Sequence, residues 1–181
     1  KYDFFELDNL NSKNDFIKAR AEADSKALKK KFSNEIIYKK NLPYNSNCKS
    51  LYAIAEKIRY ERLGSEMLMG IKKNFEQNYN QIINIKRKDQ LKSKEDVLIT
   101  EAFELYMLKN FHNIKLNSLT SKMLSFWEKD FNQSIDEHIN YLKDNIEDQN
   151  IYNSKFSKIL QEMDIFQTED NDQTENENQD D

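Results

Sequence analysis

The scarcity of helix-breaking residues constrains this chain more than any other feature of its sequence. Its 181 residues include only two glycines and one proline, so the tight turns that join short strands are nearly absent. The sequence therefore favours long helices, and we predict an all-α fold. With 1 Trp, 9 Tyr and 11 Phe residues, a chain of this length can bury a working core as one domain.

Apolar residues recur at helical spacing in segment after segment, and no alternating run of period two competes with them. This periodicity predicts a compact bundle of six to seven helices. Apart from a short helical turn at 35–40, the predicted segments are 14–31, 48–63, 67–85, 95–111, 118–129, 134–146 and 149–165. Asn47, Ser93 and a box of Ser134 with Glu137 are predicted helix starts, and Gly64 is a predicted helix stop.

The C-terminal segment differs in charge from the rest of the chain. Residues 167–181 hold seven acidic side chains and no basic one. Removing those seven from the 32 acidic residues leaves 25 against 28 basic residues, so the body is slightly positive. No apolar residue follows Phe166, and burial cannot offset the entropy of ordering this segment. We predict a helical domain at 1–166 and a disordered acidic tail at 167–181.

The sequence gives no sign of a membrane segment. No stretch approaches the roughly 18 consecutive apolar residues of a spanning helix. Residues 1–6 carry charges where a signal peptide has its apolar stretch. We therefore predict a cytoplasmic protein without a membrane partner.

Residues that carry catalysis or bind metals are sparse or badly spaced. Cys48, His112 and His138 lack the spacing of a zinc site. Neither histidine has a glutamate three residues earlier, as repeated di-iron motifs require. Two distant glycines cannot form a phosphate-binding loop. We predict no catalytic, cofactor-binding or metal site in this chain.

Two stretches are rich in lysine. Residues 26–40 contain six basic residues and one acidic residue, and residues 72–94 contain seven and two. Such clusters can bind nucleic acid or an acidic protein surface. However, the pI is near 5.4, and lysine outnumbers arginine by 24 to 4, which is typical of an AT-rich genome. A solvated helix face is the favoured interpretation, and a helical module that binds nucleic acid or protein through these patches remains the alternative.

Residues 51–64 contain the pattern Glu-x-x-Arg-x-Glu-x-x-Gly within a helix of small and apolar residues. This pattern resembles a motif of the CobT subunit of the aerobic, ATP-dependent cobaltochelatase, and it falls on Glu56, Arg59, Glu61 and Gly64. Other segments similar to the family follow in unbroken order across residues 15–166. They are Ala19–Leu28, Met69–Phe75, Thr100–Phe111, Leu124–Trp127, Ile146–Gln149 and Leu160–Asp164.

The resemblance implies a role in a complex. Members of this family work with a AAA+ ATPase subunit and a large chelatase subunit to insert cobalt into a corrin ring. They typically add a C-terminal von Willebrand A domain after an acidic linker. The Asp-x-Ser-x-Ser pattern of that domain does not occur here, so we expect an N-terminal fragment. It would be a non-catalytic assembly module, with ATP, magnesium and cobalt implied only for the complex.

The matched motif has two interpretations. On a helical wheel, Leu51, Ala55, Ile58 and Arg62 share one face, with Arg59 and Glu61 on opposite flanks. In the first interpretation, the two flanking residues form ion pairs that hold neighbouring helices in register. In the second, they face the ATPase subunit. The candidate interface residues are Glu56, Arg59, Glu61, Gly64, Asp148 and Gln149.

Overall fold

The computed structural model describes residues 12–84, 91–163 and 166. In these parts of the chain the protein is all-α, as predicted, and it contains nine α-helices and no strand. The helices are α1 (Lys13–Phe32), α2 (Glu35–Lys40), α3 (Ser46–Met67), α4 (Met69–Ile83), α5 (Ile99–Phe111), α6 (Ser118–Ser125), α7 (Glu128–Ile135), α8 (Ile139–Asp144) and α9 (Gln149–Glu162). Single 3-10 turns precede α5 and α8, at Lys94–Asp96 and Asp136–His138.

Helix α3 is the centre of the bundle and packs against α1, α4, α5 and α9. Several of its apolar side chains, including Leu51 and Ile58, are fully buried. Unlike a surface helix with one apolar stripe, α3 is also buried on its flanks, where its side chains are polar. The polar residues of α3 must therefore find partners inside the protein.

The prediction that Gly64 ends the third helix is wrong. Helix α3 continues past it to Met67, and no described glycine has a positive φ. Instead, Gly64 is buried where α1 and α3 meet, and a Cβ atom at this position would lie 2.4 Å from the Cδ atoms of Leu28. This glycine allows a close approach between two helices rather than a left-handed turn.

Two predicted helix starts are displaced along the chain. Helix α3 is capped by Asn45, whose side chain accepts a hydrogen bond from Asn47 N at 2.8 Å, so Asn47 lies inside the first turn. Ser93 does form a capping box with Asp96, but this box closes the 3-10 turn, and α5 begins only at Ile99. In α3 a second asparagine nearby takes the cap, whereas α5 begins after Leu98, whose side chain forms no capping hydrogen bond.

The predicted helix start at Ser134 and Glu137 is also wrong. Ser134 lies within α7, which begins at Glu128, whereas the predicted helix 118–129 ends early, at Ser125. The break between α6 and α7 places Trp127 half-buried, and its Nε1 donates to Val97 O at 3.0 Å. The helix boundary therefore lies between Ser125 and Glu128, before the capping pattern at Ser134.

Some predictions fall outside the described residues. They concern the acidic tail at 167–181 and residues 85–90 of the lysine-rich stretch at 72–94. Within the parts that the structure describes, no helix combines the length and apolar character needed to cross a bilayer.

Candidate functional site

The structure places the six candidate residues in three different environments. Glu56, Arg59 and Glu61 project from α3 into the protein interior, where each is at most 3% exposed. Gly64 is buried against α1, and Gln149 is buried at the start of α9. Asp148 is exposed and caps α9 by accepting from Ile151 N at 2.9 Å. Five of the six therefore lie inside the bundle, away from its surface.

Arg59 is the centre of a first polar network, which we call the arginine network. Its Nε and Nη2 donate to the two carboxylate oxygens of Glu56, at 2.8 and 3.0 Å. Its remaining donors reach backbone carbonyls of other elements. Nη1 donates to Ile146 O at 3.1 Å and Nη2 to Phe32 O at 2.5 Å. One guanidinium group thus joins α3 to the end of α1 and to the segment before α9.

Gln149 completes the arginine network from α9. Its Nε2 donates to Glu56 Oε1 at 3.1 Å, and its Oε1 accepts from Asn34 N at 2.7 Å. Ser33 Oγ donates to the same Glu56 oxygen at 2.6 Å. The buried charges of Glu56 and Arg59 are therefore paired and also hydrogen-bonded, as burial of an ion pair requires. The Ser33-Asn34 break between α1 and α2 supplies part of this network.

Glu61 is the centre of a second set of contacts, the glutamate network, on the other flank of α3. Its carboxylate accepts from Ser25 Oγ of α1 at 2.5 Å and from the Tyr79 hydroxyl of α4. Lys57, one turn earlier on α3, donates to Glu104 of α5 at 3.2 Å. This network joins α3 to α1, α4 and α5.

The glutamate network contains groups whose pKa values are shifted. Burial raises the pKa of Glu61, although Lys57 and the hydroxyls of Ser25 and Tyr79 act in the opposite direction. Burial and the Glu61 carboxylate raise the pKa of Tyr79 well above its usual value. Burial lowers the pKa of Lys57, but Glu61 and Glu104 outweigh this effect and raise it. Lys57 therefore stays charged near neutral pH and balances the carboxylates.

His112 lies beside the glutamate network, with its ring centroid 5.6 Å from that of Tyr79. Burial and the nearby Arg62 lower the pKa of His112 to about 4, so the imidazole is neutral at pH 7. Its Nε2 has no hydrogen-bond partner among the described residues. It borders a polar pocket of about 390 Å³ together with Arg62, Glu66 and Lys72.

Several network residues were not singled out from the sequence. The sequence assigned no role to Ser25, Ser33, Lys57, Tyr79 or Glu104, which the structure places in the two networks. Polar residues at buried helix positions have no local signature, because their burial depends on which helices pack together. The motif on α3 was the sequence feature that pointed toward this region.

The arrangement is that of a scaffold. Arg59 and Glu56 are bound to each other in the interior, and the guanidinium of Arg59 also donates to two backbone carbonyls. Across residues 12–84, 91–163 and 166, no three His, Cys, Asp or Glu side chains lie together as a metal site. Fold and site together define an all-helical protein whose most distinctive residues hold its helices together.

Comparison with known families agrees with the resemblance seen in the motif. The sequence model of the family described as "Cobalamin biosynthesis protein CobT" matches residues 6–181. The chain therefore belongs to the CobT family, which gives it a role in cobalamin biosynthesis. No curated protein and no solved structure matches the chain.

Proposed function

We propose that this chain is a non-catalytic assembly module of an ATP-dependent cobaltochelatase. It would work with a AAA+ ATPase subunit and a large chelatase subunit when cobalt is inserted into a corrin ring. The observation that carries the proposal is the CobT family match across residues 6–181. ATP hydrolysis and metal insertion would then take place on the other subunits.

The geometry of α3 supports a scaffold role in this complex. The motif shared with the family places its charged residues in the interior, where Arg59 is 1% exposed. In the proposal, Glu56, Arg59 and Glu61 fix the arrangement of α1, α4, α5 and α9, and the partner subunits contact the outer surface of the bundle. Asp148 is the exposed candidate among the six and is available to such a contact.

The test is reconstitution with purified subunits. The full chain is mixed with the AAA+ subunit and the large chelatase subunit from the same organism, and complex formation is followed by analytical ultracentrifugation. We expect the chain to enter the complex and to be required for ATP-dependent metallation of the corrin. We also expect it to show neither ATPase nor chelatase activity alone. Either activity in the isolated chain would overturn the proposal.

Two variants separate the scaffold role from a direct contact. Arg59→Ala is expected to lose stability first and complex formation only as a consequence. Asp148→Asn keeps the α9 cap, since asparagine also caps helices, while removing the charge from the surface. An Arg59→Ala protein with an unchanged melting temperature and lost partner binding would instead place Arg59 at the interface.

A further inference from the structure

Six lysines line two adjoining depressions on one side of the bundle, and we call this surface the lysine track. One depression, of about 410 Å³, lies between α1 and α2. The other, of about 420 Å³, lies between the end of α2 and α9. Consecutive residues of α2 connect the two, because Lys39 lines the first and Lys40 the second. The track consists of Lys26, Lys29, Lys30, Lys39, Lys40 and Lys158.

Acidic residues are few among the described residues that line the lysine track. They are Glu35, paired with Lys39 at 2.7 Å, and Glu162, 3.8 Å from Lys158. Lys29 lines the first depression and Lys40 the second. An anionic segment lying along this surface would gain from several lysines at once.

We propose that residues 167–181 of this chain bind the lysine track. This segment carries seven acidic residues and no basic one. Gln161 and Glu162 line the second depression, and the last described residue, Phe166, is buried four residues after Glu162. Phe166 N donates to Met163 O at 3.0 Å, so this residue is held against the end of α9. The acidic segment therefore starts within a few residues of the track in the sequence.

The length of the segment is sufficient for this contact. Fifteen residues span up to about 50 Å when extended, whereas α2, which connects the two depressions, is a six-residue helix about 9 Å long. Tethering gives the acidic segment an effective concentration on the order of millimolar. Weak individual contacts between carboxylates and lysines can therefore be populated. The inference does not depend on the proposed assembly role.

Zero-length carbodiimide cross-linking of the full chain tests this contact, because it joins a lysine only to a carboxylate that touches it. We expect acidic residues of 167–181 to link to Lys29, Lys40 and Lys158. Lys122 and Lys129, which are equally exposed on α6 and α7, provide the internal control and should link about tenfold less. Equal linkage to both sets would overturn the proposal.

The same cross-linking measurement is repeated at high ionic strength and in variants with reversed charges. Raising the ionic strength from about 0.05 M to 1 M shortens the screening length to about 3 Å and should abolish most links to the track. The double variant Lys29→Glu and Lys40→Glu should lose links at Lys39 and Lys158 too, whereas Lys122→Glu with Lys129→Glu should keep them. The two variants change the net charge equally, so an equal loss in both would contradict a specific track.

Cross-linking also distinguishes two other occupants of the lysine track, a second copy of the chain and a nucleic acid. In an equimolar mixture of ¹⁴N- and ¹⁵N-labelled chains, links within one chain carry a single label, as we expect. Links of mixed label would mean that the track binds a second copy, which would overturn the proposal. A single-stranded DNA oligonucleotide should compete with these links. Oligonucleotide binding to the track lysines that leaves the links unchanged would also overturn it.

Discussion

The two polar networks on α3 lie on opposite flanks of the same helix and differ in the group at their centre. The arginine network is built on Arg59, which is paired with Glu56. Its donors end on a carboxylate and on backbone carbonyls. The glutamate network is built on Glu61, whose pKa is raised by burial, and it depends on Lys57 and two hydroxyls.

This difference shows how one helix can combine a fixed contact with an adjustable one. The arginine network joins elements far apart in sequence, from Ser33 at the end of α1 to Gln149 at the start of α9. Its loss should affect the whole bundle. The glutamate network joins α1, α4 and α5 through groups that titrate, so its contribution should change with pH.

The largest effect is expected for Arg59→Ala. The substitution leaves the Glu56 carboxylate buried without its ion-pair partner, together with the carbonyls of Phe32 and Ile146. We expect the free energy of unfolding to fall by about 3–5 kcal/mol, as measured by urea denaturation. Arg62→Ala is the matched control on the same helix. Arg62 pairs with Glu66 at a half-exposed site, and its loss should cost about 1 kcal/mol. Equal losses of unfolding free energy in Arg59→Ala and Arg62→Ala would contradict the difference between the buried and the half-exposed ion pair.

A double-mutant cycle on Glu56 and Arg59 should give the next largest effect. Replacing both, as Glu56→Gln with Arg59→Met, removes the unpaired charge that each single change leaves behind. We expect a coupling energy of about 1–3 kcal/mol, obtained from four unfolding curves. The same cycle on the more exposed pair of Arg62 and Glu66 should give about 0.5 kcal/mol. Coupling no larger than this at Arg59 would contradict a tightly paired interior charge.

In the glutamate network, Glu61→Gln should cost about 1–2 kcal/mol near pH 4.5, because the amide keeps a hydrogen-bond acceptor but adds a donor that needs a partner in the interior. The pKa of Glu61 is raised in the folded protein, so the stability due to its carboxyl group is full below the usual value of 4.5 and falls as pH rises through the folded pKa. The advantage of the wild type over Glu61→Gln should therefore shrink between pH 4.5 and 7.5.

Thermal and urea unfolding across this pH range measure that trend. Glu104→Gln serves as the control, since it removes the other, partly exposed partner of Lys57 and should cost about 0.5 kcal/mol. A wild-type advantage that grows with pH would show that Glu61 is better stabilised as an anion than its burial implies.

The smallest effect is expected for a substitution at Gly64, where α1 and α3 pack closely between the two networks. Gly64→Ala improves helix propensity by about 1 kcal/mol, but the new methyl group must displace the buried side chain of Leu28, which costs about 1–3 kcal/mol. We expect a net loss of about 1 kcal/mol in the free energy of unfolding. Gly70→Ala, with no atom within 4 Å of its Cβ position, should be neutral or stabilising by up to about 1 kcal/mol. Stabilisation by both changes would refute the close packing at Gly64.

The sequence predicts the helices of this protein better than their ends or their polar contacts. Two glycines and one proline, with apolar residues at helical spacing, are enough for an all-α fold. The cap at Ser134 fails because α7 begins earlier and continues through it. Gly64 fails as a helix stop because its role depends on Leu28, a residue 36 positions away.

The motif on α3 singled out Glu56, Arg59 and Glu61, and the sequence left two interpretations of Arg59 and Glu61. Burial is a property of the assembled bundle, and it favours the interpretation in which these residues hold helices together. The partners Ser25, Ser33 and Tyr79 could not be found from spacing, because each lies on a different element brought close only by folding.

The central claim is that Arg59 is an interior cross-link of the bundle, and solvent exchange of its side-chain Nε–H tests this most directly. The chain has only four arginines, so ¹⁵N-arginine labelling gives a simple NMR spectrum in which Arg20, exposed on α1, is the reference. We predict that the Arg59 Nε–H exchanges orders of magnitude more slowly than that of Arg20, through opening of the bundle. Exchange of the two at the same rate would contradict the account.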